Sequence, residues 1–274
     1  MGSETTTCTT APADHGSEYV EEPTVETLSH QGGATVQLYN GQLIYKFGHR
    51  VKENEFHAMK LVSEHTSIPV PRVTDWAQFN KTGFLVMSFI PGKPLSESWD
   101  SMPSQSRHSI VSQLKGHLTQ LRQIPKPAEC NGAFVCGAMG GPVSTEVPIP
   151  GRQFTGPFAD DLTFRKAIGD AYFATAGRRY TPAEVTAFLP SSSKSVLTHC
   201  DFVPRNILVD GEKVTGIIDW EFSGWYPDYW EFSLTMNRSE IEDLNDFGAW
   251  VPPLFTNSFI EMHETLNRVR HVLF

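Results

Sequence analysis

Residues 207–218 read ILVDGEKVTGII, two apolar runs broken by Asp-Gly. β-branched residues suit strands and Asp-Gly suits a tight turn, so an antiparallel hairpin is predicted around Asp210-Gly211. Such a hairpin fixes what its flanks can do. Asn206 precedes the first run and Asp219 follows the second, five and eight residues from Gly211. The fold-back brings an amide oxygen and a carboxylate to one end, and hard oxygen ligands of this kind suit magnesium. Asp201 lies five residues before Asn206 in the leading loop, LTHCDFVPRN. It reaches the same space without being a ligand, which leaves it free to accept a proton from a hydroxyl. Three readings compete for this loop. It could serve phosphotransfer. It could hold iron, with His199, Asp201 and a distant histidine such as His263 as a two-histidine, one-carboxylate set. It could be a polar corner with no chemistry.

A second set of residues lies upstream. TVQLYNGQLIYKFG gives two strands around Asn40-Gly41, another hairpin signal. On its second strand Gln42, Ile44 and Lys46 share one face. ENEFHAMKLVSEH then reads as a helix with Phe56, Met59 and Val62 on one side. Glu55 falls on that same side and is expected to point inward, where a carboxylate needs a cation. Lys46 is the candidate. A lysine held by a glutamate beside a cleft is how kinases orient nucleotide phosphates.

The rest of the chain frames these parts. SIPVPRV is extended, because residues before proline avoid the helical region, and GFLVMSFIPG is a buried strand ended by Pro91-Gly92. After it the chain turns helical. SQSRHSIVSQLKGHLTQLRQI carries Ile110, Leu114, Leu118 and Leu121 on one stripe. Residues 128–160 are glycine- and proline-rich and predict a long irregular loop. Helices are expected near 161–176, at TPAEVTAFL, and at the C-terminus with apolar residues at 259, 262, 266, 269 and 273. The division expected is a tail at 1–25, a small antiparallel-sheet lobe at 26–90, and a mainly helical lobe at 91–274 carrying the hairpin, an α+β bilobal chain.

Composition bounds the partners. The formal charge is −9 over 274 residues, which argues against nucleic acid. The longest apolar runs are strand-sized, whereas a bilayer span needs about 20 residues. Four cysteines are too few and too irregular for a disulfide framework, and no signal peptide is read at the N-terminus. A soluble protein of the reducing cytoplasm is expected.

His199, Asp201 and Asn206 in the spacing HxDxxxxN, then IIDWE at 217–221, the strand lysine and the helix glutamate resemble the aminoglycoside phosphotransferase and choline kinase family. This is a small-molecule branch of the protein-kinase-like fold. EFHAMKLVSEHTSIPVPRV, FLVMSFIPGKPL and EFSGWYPDYWEF resemble members common in filamentous fungi. The likeness runs from about 34 to 235. It implies a kinase of ATP and Mg2+ that phosphorylates a hydroxyl or amine of a small molecule, in which Asp201 is the catalytic base. Asn206 and Asp219 would hold the metal. Lys46, partnered by Glu55, would contact the α- and β-phosphates. The backbone at Met87–Ile90, including Ser88 and Ile90, would meet the adenine, and His199 would buttress Asp201. The sequence departs from the family in three places. Cys200 stands where the family has glycine, Ser88 where it often has glutamate, and only Gly32-Gly33 occupies the place of a glycine-rich phosphate loop.

One cluster has no assigned role. Trp225, Tyr226, Tyr229 and Trp230 are followed by Asp228, Glu231, Glu240, Glu242, Asp243 and Asp246. Aromatics with carboxylates could hold a cationic substrate; packing beneath a solvated acidic face is the plainer reading. A kinase-like fold without kinase chemistry is the alternative function.

Overall fold

A computed structural model describes residues 23–143, 156–175, 179–241, 247–255 and 259–269. Five antiparallel strands come first: β1 (Val25–Gln31), β2 (Ala34–Tyr39), β3 (Leu43–Gly48), β4 (Val73–Phe79) and β5 (Thr82–Ser88), with α1 (Glu53–His65) between β3 and β4. Their order across the sheet is β1-β2-β3-β5-β4. Asn40 and Gly41 both adopt left-handed backbone in the three-residue turn between the paired Tyr39 and Leu43. Along β3, Ile44 and Lys46 turn inward and Tyr45 outward. Helix α1 buries Glu55, Ala58, Met59, Leu61 and Val62. Thr66 ends it by returning its N–H and hydroxyl to the Val62 carbonyl, and Pro69 and Pro71 prevent its continuation.

Two of these strands are absent from the sequence reading. Both β1 and β4 lie at the edges of the sheet, and each carries a register shift, at Thr27/Ser29 and at Val73/Asp75. A bulge breaks the alternation that betrays a strand, and edge strands tolerate polar residues. Most of the expected tail at 1–25 lies outside the described residues; β1 begins at Val25.

The C-terminal region begins with β6 (Lys93–Pro94) and α2 (Ser104–Leu121), which buries the stripe read from the sequence. Next come β7 (Cys136–Gly137), α3 (Asp161–Thr175), α4 (Pro182–Phe188) and β8 (Ser195–Thr198). The hairpin is β9 (Ile207–Asp210) and β10 (Lys213–Ile217). Then follow β11 (Gly224–Pro227), α5 (Trp230–Ile241), α6 (Phe247–Leu254) and α7 (Ile260–Leu266). The strands form two three-stranded sheets, β10-β9-β6 and β7-β11-β8. The expected loop at 128–160 contributes to the core: Cys130, Val135, Cys136, Ala138 and Val143 are buried, and β7 pairs with β11. Residues 144–155 of that loop lie outside the described residues. No helix among the described residues is long and apolar enough to cross a membrane.

Candidate active site

The central hairpin pairs Ile207 with Ile217 and Asp210 with Lys213, so its turn is Gly211-Glu212, one residue beyond the pair read from the sequence. A bulge between Val214 and Gly216 takes up one extra residue on β10. The Ile218 N–H reaches the Asn206 carbonyl at 2.9 Å, which closes the open end and sets Asp219 beside the loop.

Asp201 is buried and held from several sides. Arg205 Nη2 donates to both carboxylate oxygens at 2.8 Å. The Asn206 amide nitrogen donates to the Asp201 carboxylate at 2.7 Å and to its main-chain carbonyl at 2.9 Å. Arg238 Nε stands farther off, 3.5 Å from Oδ1. His199 is fully buried. Its Nε2 faces the Ile218 carbonyl at 3.0 Å, and its Nδ1 accepts the Asp201 N–H at 3.2 Å. A nitrogen facing a carbonyl must donate and one facing an N–H must accept, so the ring is neutral with its proton on Nε2. Burial pushes its pKa down in the same sense. Neither nitrogen is left for a metal. His263, the other histidine of the iron reading, is buried in α7 with Nε2 3.0 Å from the Asn267 amide nitrogen and its ring against Phe232. The iron arrangement is therefore not formed.

Lys46 Nζ lies 2.8 Å from Glu55 Oε1 and 2.8 Å from Asp219 Oδ1, with Glu221 Oε2 at 4.0 Å. Arg50 Nη2 meets the other oxygen of Glu221 at 2.7 Å. Burial alone would lower the lysine's pKa, but Glu55, Asp219 and Glu221 outweigh it and hold the pKa above the usual range. Burial pushes Glu55 up; it lifts Glu221 to about 7, with Asp219 adding to the rise. Burial also opposes the Asp219 charge, but Lys46 prevails and holds that carboxyl below its ordinary value. Glu55, Asp219 and Glu221 each offer an oxygen within 4.8 Å of the others, and Glu55 Oε2 is buried without a partner.

A model of the phosphotransferase enzyme family matches residues 34–264. The chain belongs to that family. This phosphotransferase is 24% identical over 250 residues to an aminoglycoside 3'-phosphotransferase of Streptomyces ribosidificus, with 84% of each chain covered. Solved structures share its fold, and two serve as examples. The GDP and kanamycin complex of APH(2")-IIia superposes with a TM-score of 0.61 at 14% identity, covering 90% of this chain and 81% of that one. A ternary complex of APH(4)-Ia with AMP-PNP and hygromycin B gives 0.55 at 14% identity, covering 91% and 93%.

The phosphotransferase thus gathers Lys46, Glu55 and Asp219 in one cluster, and Asp201, Asn206 and His199 in the loop beside it. Ser88 is placed differently. Its N–H goes to the Arg72 carbonyl and its hydroxyl accepts the Arg72 N–H, while the Phe89 N–H goes to Gln42. The N–H groups at 88 and 89 are thereby taken up by the sheet, and Ile90 is the first residue past them. Ile90 also lines a cavity of about 980 Å3 between the 90–93 segment, the start of α2 and the hairpin turn. Lys46, Glu55, Asp201, Asp219 and Glu221 do not line that cavity.

Sequence reasoning missed Arg50, Arg205, Glu221 and Glu231 as parts of this site. Glu231, on α5, accepts the N–H groups of His199 at 2.5 Å and Cys200 at 3.0 Å, one on each carboxylate oxygen. Burial raises its pKa to about 7 even against those two donors. Only Arg205 carried a local signal, four residues from Asp201 in a loop. Cys200 has φ +70, the left-handed backbone that glycine adopts without strain, which accounts for glycine in the family pattern. Its thiol is fully buried and burial pushes its pKa well up, so it is an inert packing group. The aromatic cluster is core: Trp225, Tyr226, Tyr229 and Trp230 are all buried, and Tyr226 stacks on Trp230 with centroids 5.7 Å apart. The cation over it is the protein's own: Lys126 Nζ sits 5.0 Å from the Trp225 ring centroid. Glu242, Asp243 and Asp246 lie outside the described residues.

Proposed function

We propose that this phosphotransferase moves the γ-phosphoryl group of ATP to a hydroxyl or amine of a small molecule, with Asp201 as the base and Lys46 on the nucleotide phosphates. The observation that carries this reading is Lys46 bridging Glu55 and Asp219 at 2.8 Å each in a buried cluster rich in carboxylates. A primary ammonium held between two carboxylates is fixed in place and kept charged, as phosphate binding requires.

The residues present fit a divalent cation. Glu55, Asp219 and Glu221 supply three carboxylates to the two cations Lys46 and Arg50, and one buried oxygen of Glu55 is unpartnered. Asp219 would hold magnesium, and so would Asn206 through its side-chain oxygen, since its nitrogen is turned to Asp201. Bound magnesium would neutralise phosphate charge during transfer. Ser88 and Ile90 belong to the segment that would meet the base of the nucleotide.

Asp201 would orient the acceptor. Arg205 and Asn206 lock its carboxylate plane, and the long 3.5 Å contact from Arg238 is the one an incoming hydroxyl would displace at Oδ1. His199 accepts the Asp201 N–H and so fixes the backbone from which the base projects. Positioning and charge account for most of the rate in such transfers. The solved relatives' complexes contain kanamycin and hygromycin B. Here the two guanidiniums beside Asp201 fit a neutral or anionic region of an acceptor better than a polycation, and an intermediate of secondary metabolism meets that description. The test is a screen of metabolites and aminoglycosides with ATP and magnesium, run beside Asp201→Asn and Asp219→Ala. Both variants are expected to lose magnesium-dependent turnover, and full activity in both would sink the proposal.

A further inference from the structure

Three residues of the segment after the hairpin grip the N-terminal region at regular intervals. Asp219 Oδ1 meets Lys46 Nζ at 2.8 Å, Glu221 Oε1 meets Arg50 Nη2 at 2.7 Å, and the Ser223 carbonyl accepts from Asn54 Nδ2 at 2.7 Å. Every second residue of 219–223 is therefore matched to every fourth residue of 46–54. The third rung uses both ends of its amide. Asn54 Oδ1 also accepts the Ala138 N–H at 2.8 Å, beside β7. The fit is close: a Cβ at Gly137 would come within 2.6 Å of Asn54 Oδ1.

Asn54 adjoins Glu55 in the first turn of α1. Consecutive Cα atoms are about 3.8 Å apart, so pinning one sets the place of the next. Glu55 depends on that, because one oxygen bonds Lys46 and the other is unpartnered. No second hydrogen bond steers its side chain. If α1 moved away, Lys46 would keep Asp219 and lose Glu55.

Resting on the assignment of Lys46 to the nucleotide, we infer that Asn54 is a positioning residue. Its amide, spanning Ser223 and Ala138, holds α1 where Glu55 shares Lys46 with Asp219. It acts through Glu55 and Lys46 and touches no reacting atom itself.

The probe is magnesium-dependent hydrolysis of ATP by the full chain, with water as acceptor, for wild type, Asn54→Ala, Glu55→Gln, the double variant and Lys46→Met. Asn54→Ala is expected to lower kcat/KM for ATP about tenfold, with KM raised, and to cost less than about twofold more in the Glu55→Gln background. A purely stabilising residue would lower the thermal midpoint and leave the two losses to multiply. Asn54→Asp, which keeps the acceptor for Ala138 and loses the donor to Ser223, is expected to fall between Ala and wild type. It takes the place of Asn54→Ala in the cycle if that variant does not fold. Wild-type kcat/KM in the Asn54 variants, or losses that multiply in the double variant, overturns the inference. Unimpaired hydrolysis by Lys46→Met would instead remove the assignment beneath it.

Discussion

Lys46 and Asp219 stand 173 positions apart in the chain and meet at 2.8 Å. One comes from a strand of the N-terminal sheet and the other from the exit of the central hairpin, so this contact joins the two regions at the point where the charged groups converge. Removing the lysine would leave Glu55, Asp219 and Glu221 facing one another with Arg50 as the remaining cation. Lys46→Met should therefore cost about 3–5 kcal/mol, the range for breaking a buried ion pair. Carboxylates become neutral in acid, so the loss should be smaller at pH 5 than at pH 8. Urea unfolding at the two pH values checks this; an equal loss at both would count against mutual repulsion.

Arg205 should matter for rate more than for stability. One of its nitrogens, Nη2, bonds both oxygens of Asp201 from a planar guanidinium, a placement that a flexible lysine ammonium does not hold. Arg205→Lys and Arg205→Ala are both expected to lower kcat about tenfold or more, with the unfolding free energy within about 1 kcal/mol of wild type. Steady-state kinetics beside urea melts would show it, and a fully active Arg205→Lys would refute the need for a guanidinium.

Glu231 should give the protein a measurable pH dependence. Folding raises its carboxyl from 4.5 to about 7, so its contribution is fully present below pH 4.5 and is lost as the pH rises through 7. Relative to Glu231→Gln, the wild type should lose about 3 kcal/mol between those limits. Denaturant titrations of both proteins from pH 4.5 to 7.5 test the sign. A difference that stays flat, or that grows with pH, would show that the two N–H donors outweigh burial.

Cys200 combines burial with left-handed backbone, and the two features separate by substitution. Cys200→Gly removes the strain and a small buried group, so stability should stay within about 1 kcal/mol. Cys200→Val puts a β-branched residue in that conformation and should cost about 2 kcal/mol or more. Native Cys200 should also resist alkylation, since burial holds it as a thiol. Thermal melts and mass spectrometry after thiol labelling decide both points, and rapid modification of the folded protein would contradict the second.

Much of the frame could be read before any coordinates because its signals are local. Helix α1 runs over the residues its apolar spacing marks, and both hairpins follow from Asn-Gly and Asp-Gly. The strands β1 and β4 were illegible because edge position and bulges dilute alternation. Asn54 and Glu231 were illegible for another reason. Each works through main-chain groups of residues far along the chain, and a backbone N–H or carbonyl has no letter in the sequence. The aromatic cluster misled because a cation cage and a packed core share a composition; burial separates them, and only the fold supplies burial.

The extra residue on β10 makes the hairpin a measuring device. Side chains on a strand alternate, so deleting the bulge or adding a residue to either arm would turn the chain by half a repeat where it exits. The bond from the Ile218 N–H to the Asn206 carbonyl would then be out of step, Asp219 would be turned from Lys46, and the rungs to 50 and 54 that follow it would be lost with it. Length changes should accordingly be tolerated at the Gly211-Glu212 tip and nowhere else between Asn206 and Ser223. That is a rule about insertions and deletions, written into the protein by a single unpaired residue.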